Sequence, residues 1–213
     1  MRRRRVRIRF SKLNRLKFIG HNDLLRTLAS LFRRARIPAA MSAGFRPKVR
    51  MSFPSALPLG FESTDEVLEL ELQASDEPDN VEKILADLNR ESLEGLTFLS
   101  GRMLQEDEKK ASLISATYRM NVPTELREKI AESLASFLTE TSHIVGKANG
   151  KRVDVREAVL SMTLESSGEL TMELQSASGP SAGVKEVLSA LGLGNELFVT
   201  LFPCRSRCRL FGE

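Results

Sequence analysis

Apolar and polar residues alternate in three short segments of the first 72 residues. In Arg5–Phe10 every second residue is apolar, so one face of a strand would enter a core while its arginines point the other way. The same pattern recurs at Lys48–Phe53 and at residues 67–72. Each segment is therefore predicted to be a half-buried β-strand.

Helical spacing separates these strands. Leucine and phenylalanine share one face over residues 22–36, and Pro38 would end that helix. A second apolar stripe follows Pro78, and Leu96–Leu99 predicts another strand. The order is βαββαβ and ends near residue 102.

The same order begins again after Gln105–Lys110, a charged stretch that has the composition of a linker. Its strands and helices are predicted at residues 113–122, 124–139, 158–165, 169–175, 181–191 and 197–202, with an inserted hairpin near 143–156. The predicted fold class is α+β, with two tandem ferredoxin-like (βαββαβ) units whose sheets are antiparallel. The first domain would span residues 1–104 and the second 111–213.

In such a unit the helices cover one face of the sheet and leave the other open. The third strand would lie between the first two, which places Glu69 and Glu71 between the arginines of the first strand and the cations Lys48 and Arg50. Two acids cannot neutralise five bases, so this face is expected to carry surplus positive charge. Surplus positive charge could bind a polyanion. Pairing of Arg5, Arg7, Arg9 and Arg50 with acids of residues 61–213 would refute that hypothesis.

Charge is divided unevenly along the chain. Residues 1–60 contain sixteen Lys or Arg and a single acid, Asp23, which gives +15, whereas the remaining residues carry −11. A basic block of this kind is typical of proteins that bind nucleic acid or another polyanion. The alternative is that the two portions neutralise each other.

Composition excludes several classes of protein. The chain has 213 residues, 41% of them apolar and 28% charged, and no apolar run long enough to span a bilayer. No apolar segment follows the basic N-terminus, so a cytoplasmic protein is expected. Two histidines and two cysteines, Cys204 and Cys208, are too few for a four-ligand zinc site, and no metal or other cofactor is expected.

Two segments carry candidate binding residues. His21 lies where the first helix should begin, near Arg15, Lys17 and Arg26; it could contact an anion, act as a general base or, with Asn22, cap the helix. In residues 42–53 cations alternate with aromatic residues, so Phe45 could stack on a base while Arg46, Lys48 and Arg50 meet phosphates. Phe53 is predicted to belong to the core. The candidate nucleic-acid-binding residues are Arg15, Lys17, His21, Arg26, Phe45, Arg46, Lys48 and Arg50.

The chain resembles the radical-SAM-linked family, whose members occur as separate chains or fused behind cobalamin-binding radical-SAM proteins. The resembling residues are Phe10–Leu13, Phe18, His21, Asp23, Leu24, Ser42, Gly44, Phe45, Pro47, Ser52, Phe53, Leu57–Gly60 and Glu62. Residues 151–156 resemble the family's Val-Asp-Ile-Arg motif. The spacing of Asp154 and Arg156 on a strand would place both on one face as a second candidate patch, where they would pair with each other or with a neighbouring strand. Arg46, Lys48, Val49 and Glu157 depart from the family pattern, which weakens a catalytic role for the 42–53 loop and strengthens phosphate contact. The resemblance implies a radical-SAM partner, and this chain has no Cys-x-x-x-Cys-x-x-Cys motif of its own.

These patterns support three hypotheses. The first is a non-catalytic partner of a radical-SAM enzyme that binds RNA or a ribonucleoprotein through the basic N-terminal half. The second is a metal-independent RNA-processing enzyme that uses His21, since two ferredoxin-like units also resemble the RAMP endonucleases in architecture. The third is a protein–protein adaptor. Binding is favoured over catalysis because Gly192–Gly194 is better explained as a helix stop than as the glycine-rich loop of those endonucleases.

Overall fold

The computed structural model describes residues 4–74, 80–147, 150–176, 182–193 and 200–213. The chain divides into two compact units, Met1–Ser112 and Leu113–Glu213. Both are mixed α+β, and their paired strands are antiparallel. Within the described ranges, no helix is long and apolar enough to cross a membrane.

The first unit contains four strands and two α-helices among its described residues. They are β1 (Arg4–Lys12), α1 (His21–Arg34), β2 (Met51–Ser52), β3 (Glu62–Leu72), α2 (Val81–Arg90) and β4 (Leu96–Met103). The strands lie in the order β4-β1-β3-β2, so β3 pairs with β1 on one side and with β2 on the other. Glu69 and Glu71 therefore lie between the arginines of β1 and the β2 segment, as the strand pattern predicts.

Alternation in β1 places its apolar side chains in the core. Val6, Ile8 and Phe10 are fully buried and pack in one cluster with leucines of β3 and of α1. Helix α1 contributes the leucine and phenylalanine positions that its spacing predicts, Leu24, Leu28, Leu31 and Phe32. The helix ends at Arg34, and Arg36 then takes a left-handed backbone with φ of 55°.

The predicted strand at Lys48–Phe53 is shorter than its alternation suggests. Only Met51 and Ser52 form β2, because the preceding residues pair with the chain that leaves α1. The Arg50 amide donates to the Ala40 carbonyl at 2.8 Å, and Met41 bridges Val49. The result is a hairpin of residues 41–49 that extends beyond the sheet edge.

The second unit repeats the order of elements with one insertion. Its elements are β5 (Leu113–Asn121), α3 (Thr124–Thr139), β6 (Ile144–Gly146), β7 (Arg152–Asp154), α4 (Val155–Ala158), β8 (Val159–Leu164), β9 (Glu169–Gln175), α5 (Val184–Ala190) and β10 (Cys204–Leu210). The strands lie in the order β10-β5-β9-β8, and β6 and β7 form a separate hairpin. That hairpin lies inside the 143–156 segment where an insertion is predicted.

The last strand lies further along the chain than predicted. Residues 197–199 of the predicted strand fall outside the described part of the chain, and Thr200 and Leu201 are helical. The observed strand is β10, whose buried positions are Arg205, Cys208 and Leu210. Two features conceal this strand in the hydrophobic pattern. The buried Arg205 is 2% exposed, and the register shifts between Arg205 and Arg207, so the buried positions do not alternate strictly.

Candidate nucleic-acid interface

The arginines on the β1 face of the sheet are paired with acids. Arg7 contacts Glu69 at 2.9 Å and Glu108 at 3.1 Å, and Arg5 lies 3.6 Å from Glu69. Arg9 pairs with Asp65 at 2.6 Å, and Arg50 with Glu71 at 3.0 Å. The expectation of surplus charge on this face is wrong, because all four cations have acidic partners. This pairing is the observation expected to refute polyanion binding, and it argues against polyanion binding by this face.

Acids that the strand pattern did not bring to this face supply the missing negative charge. Glu108, from the segment that follows β4, also pairs with Arg102 at 2.6 Å, and its backbone oxygen accepts from Arg5. The hydrogen bond from Arg102, helped by the charges of Arg102 and Arg7, lowers the pKa of Glu108 to about 2. The Ala111 amide donates to Glu69 at 2.9 Å. The predicted linker thus packs against the sheet and leaves Arg7 only 5% exposed.

A large groove lies elsewhere in the first unit, between α1 and the segment from Ile37 to Met51. Its volume is about 1000 Å³. Its floor and walls are mainly apolar, and its polar lining includes three cations. The lining residues are Asn22, Leu25, Arg26, Ala29, Ser30, Phe32, Arg33, Ile37, Ala39, Met41, Pro47, Lys48, Val49, Met51 and Gln73. No acid is among them within the described residues.

Two of the three groove cations have no acid beside them. Arg33 and Lys48 form no side-chain ion pair or hydrogen bond with another described residue, and both are exposed. Arg26 contacts Asp23 at 2.9 Å, but both side chains are more than half exposed, so water competes with this pair. The groove therefore keeps an excess of positive charge that the sheet face lacks.

Helix α1 builds its side of the groove with a second stripe of residues. Arg26, Ala29, Ser30 and Arg33 recur at helical spacing on a face distinct from the buried leucines. The small side chains at positions 29 and 30 leave room for the concavity, and the arginines border it. Phe32 and Leu25 close the bottom toward the core.

The 41–49 hairpin forms the other side of the groove and holds the most exposed aromatic ring among the described residues. The Ser42 amide donates to the Lys48 carbonyl at 2.8 Å, and the Lys48 amide donates to Ser42 Oγ at 3.0 Å. Gly44, with φ of 112°, makes the turn between them. Phe45 at the tip is fully exposed, and Arg46 beside it has no side-chain partner in the described part of the chain.

Three other candidate residues do not line the groove. Lys17 pairs with Glu62 at 3.4 Å and lies over the Phe18 ring, and Arg15 is exposed on a 3-10 turn. His21 packs edge-on against Phe53 with ring centroids 5.3 Å apart, and its ring forms no hydrogen bond with a described residue. The helix cap is Gly20 without a side-chain bond, so the prediction that His21 or Asn22 caps α1 is wrong. Phe53 packs on Phe10, as its predicted core role requires.

Arg50 is likewise outside the groove. Besides its pair with Glu71, it lines a separate cavity of about 220 Å³ with Arg5, Lys110 and Glu69. Its position beside β3 explains why a carboxylate reaches it while none reaches Lys48.

Asp154 and Arg156 have structural roles that differ from the predicted ion pairing. Asp154 ends β7 and caps α4, since its carboxylate accepts from the backbone amides of Arg156, Glu157 and His143 and from Ser142 Oγ at 2.6 Å. These hydrogen bonds, that of Ser142 first, lower the pKa of Asp154. Arg156 donates to the Val159 carbonyl and lies over the Phe137 ring.

The two cysteines do not form a disulfide; Cys208 is buried and Cys204 half-buried. Within the described ranges, no group of three or more His, Cys, Asp or Glu side chains could hold a metal ion.

The sequence patterns missed Arg33 as a groove residue. Its place in the last turn of α1 suggested only a favourable interaction with the helix dipole. The seven-residue spacing from Arg26, with Ala29 and Ser30 between them, is the signal that could have identified it.

Comparison with known proteins gives a family but no activity. Residues 5–184 match the family described as an uncharacterized protein conserved in bacteria (DUF2344). No curated protein matches the chain.

Proposed function

Because the chain belongs to this bacterial family, whose description assigns no activity, we propose a function from the site: the protein is a non-catalytic RNA-binding protein. The groove cations Arg26, Arg33 and Lys48 contact phosphates, and the hairpin tip adds Phe45 and Arg46. The paired sheet face takes no part in binding.

One observation carries the proposal. A groove of about 1000 Å³ is lined by three cations and by no described acid, whereas Arg5, Arg7, Arg9 and Arg50 are paired with carboxylates. Cations that neutralise phosphates release the counterions condensed on a nucleic acid, and this release supplies a large share of the affinity of the complex. An exposed aromatic ring beside a cation adds the stacking surface on which RNA binders rely.

The surroundings of His21 favour binding over catalysis. A general base needs a partner that orients it or a substrate-binding cation within reach. The ring of His21 instead packs on Phe53, and His21 is not among the residues that line the groove. The RNA-processing alternative therefore has no described constellation to support it.

We also propose a radical-SAM partner and a ferredoxin-like fold for each unit. The resemblance of residues 10–62 and 151–156 to the radical-SAM-linked family supports a radical-SAM partner that would carry out the chemistry on the bound RNA. The strand orders β4-β1-β3-β2 and β10-β5-β9-β8 support a ferredoxin-like assignment for each unit, and we place the protein in the cytoplasm.

The test is RNA binding across a salt series, measured by fluorescence anisotropy. The probe is a labelled RNA hairpin with a single-stranded tail, and the variant is Arg26→Ala/Arg33→Ala/Lys48→Ala. The matched control, Lys83→Ala/Arg90→Ala/Lys109→Ala, removes the same charge from exposed positions that do not line the groove. All six side chains are exposed, so both variants should fold, which circular dichroism would check.

The groove variant should bind at least about tenfold more weakly, and its salt slope should fall by about 2, since each phosphate contact on a single strand contributes about 0.7. The control should stay within about twofold of the wild type. Equal losses in both variants would overturn the proposal, because net charge rather than the groove would then cause binding. Absence of binding at low salt would also overturn it and favour the protein–protein adaptor, and cut RNA with defined ends would favour the enzyme.

A further inference from the structure

We propose that the groove takes an unpaired nucleotide, so that the protein selects single-stranded RNA over a duplex of the same sequence. This inference rests on the proposed RNA-binding function and names the form of RNA that the site accepts. The reason is the apolar floor of the groove, because a bound phosphate would contact the cations and leave this floor without a ligand.

A duplex cannot reach that floor. Its bases are stacked inside a rod whose outer surface is phosphate and sugar, so it could contact only the cations at the rim. The floor between those cations is made of Leu25, Ile37, Val49 and Met51, with Phe32 beneath. A splayed base would replace water on this surface, whereas a duplex would leave it wet.

The size of the groove fits more than a bare phosphate. Pockets for small ligands usually measure about 300–1000 Å³, and this one lies at the upper end with about 1000 Å³. A base with its sugar can enter while the flanking phosphates stay at the rim. Arg26 and Arg33 come from α1 and Lys48 from the hairpin, so both sides of the groove offer a cation to the strand.

Phe45 offers a second position for a base. Its ring is fully exposed at the tip of the 41–49 hairpin, and Met41 at the base of that hairpin is 48% exposed. An aromatic ring in water with both faces free stacks on any unpaired base, which makes it tolerant of sequence. In a duplex the bases are already stacked on each other, so the ring would gain nothing.

The test compares two RNA probes that differ only in strandedness. One is a labelled single strand of about 12 nucleotides, within the site sizes common for single-strand binders, and the other is its blunt duplex. Binding is measured at equal salt for the wild type, Phe45→Ala and Ala29→Leu. Ala29→Leu fills the groove without changing charge, and Ala86→Leu on the exposed face of α2 is its control.

The single strand should bind the wild type at least about tenfold more tightly than the duplex. Ala29→Leu and Phe45→Ala should each weaken single-strand binding about fivefold and leave duplex binding unchanged, while Ala86→Leu changes neither. Equal affinity for both probes, lost together in the Arg26→Ala/Arg33→Ala/Lys48→Ala variant, would overturn strand selection and leave RNA binding intact. If neither probe binds, the proposed function fails and strand selection fails with it.

Discussion

Two sets of cations from the first 50 residues differ in burial and in pairing with acids. Arg5, Arg7 and Arg9 of β1 each lie within 3.6 Å of a carboxylate, and Arg7 is 5% exposed. Arg33 and Lys48 at the groove are exposed and have no described partner. A strand brings residues that are distant in sequence beside each arginine, whereas an exposed helix face meets mainly its own residues three or four positions away. The number of cations in a segment therefore says little about how many can bind a ligand.

Replacement of Glu69 by Gln is the change that should separate the two sets most strongly. Glu69 accepts from Arg7 and from the Ala111 amide and lies 3.6 Å from Arg5. The residues Glu69, Arg7 and Arg5 are each less than 10% exposed. Loss of Glu69 would leave the buried Arg5 without its acid and Arg7 with Glu108 alone, so the free energy of unfolding should fall by about 3 kcal/mol. Urea denaturation followed by circular dichroism measures it.

The corresponding groove variant provides the contrast for this prediction. Arg26→Ala/Arg33→Ala/Lys48→Ala should change the free energy of unfolding by less than about 0.5 kcal/mol for each position, as exposed substitutions do. Similar losses of stability in both proteins would show that the groove cations are structural, and the comparison would then fail.

Alternation predicted the strands whose inward residues are apolar. Val6, Ile8 and Phe10 in β1 and the leucines of β3 are buried as expected. It failed at β10, where Arg205 is buried and a register shift interrupts the alternation. It also overestimated β2, because residues 41–49 form a hairpin and only Met51 and Ser52 pair with β3 as a strand. Local pattern identifies which face is buried only when apolar side chains make that face.

The candidate site was predictable in part for the same reason. A helix face and a short loop are local features, so the sequence could identify the residues they present. These residues are Arg26 and Lys48 at the groove and Phe45 and Arg46 on its hairpin. The pairing of Arg7 with Glu108 was not predictable, because those residues are 101 positions apart and no local pattern brings them together. The pairing of the four sheet-face cations does not extend to α1, whose Arg26 and Arg33 line the groove.

Glu108 should give the sheet cluster a dependence on pH that the groove lacks. Its pKa is about 2 in the folded protein against an ordinary 4.5, so its contribution to stability is complete above 4.5 and is lost as the pH falls toward 2. The carboxyl is 25% exposed, and screening limits the contribution to about 1 kcal/mol. Glu108→Gln should therefore be less stable than the wild type at neutral pH and equal to it near pH 2. Urea midpoints of the two proteins, measured between neutral pH and pH 2, check this prediction. A difference between them that stays constant over this pH range would contradict it.

Single replacement of Arg33 should affect binding without affecting stability. One lost phosphate contact should weaken RNA binding by about threefold at moderate salt and reduce the salt slope by about 0.7. Arg34→Ala is its neighbour control, because the Arg34 side chain contacts Ser30 and Glu91 and does not line the groove. Equal effects of the two variants on anisotropy titrations would remove Arg33 from the interface.

The smallest expected effect comes from converting one paired cation into a free one. Glu71→Gln removes the partner of Arg50, whose side chain is 47% exposed, so the lost pair should cost less than about 1 kcal/mol of stability. The released guanidinium would then resemble Arg33, and RNA affinity should rise by up to about twofold at low salt with a slightly steeper salt dependence. The double variant Glu71→Gln/Arg50→Ala should cancel this gain. If Glu71→Gln leaves binding unchanged while Arg33→Ala weakens it, position at the groove rather than freedom from a carboxylate decides which cations bind, because Arg50 lines a different cavity.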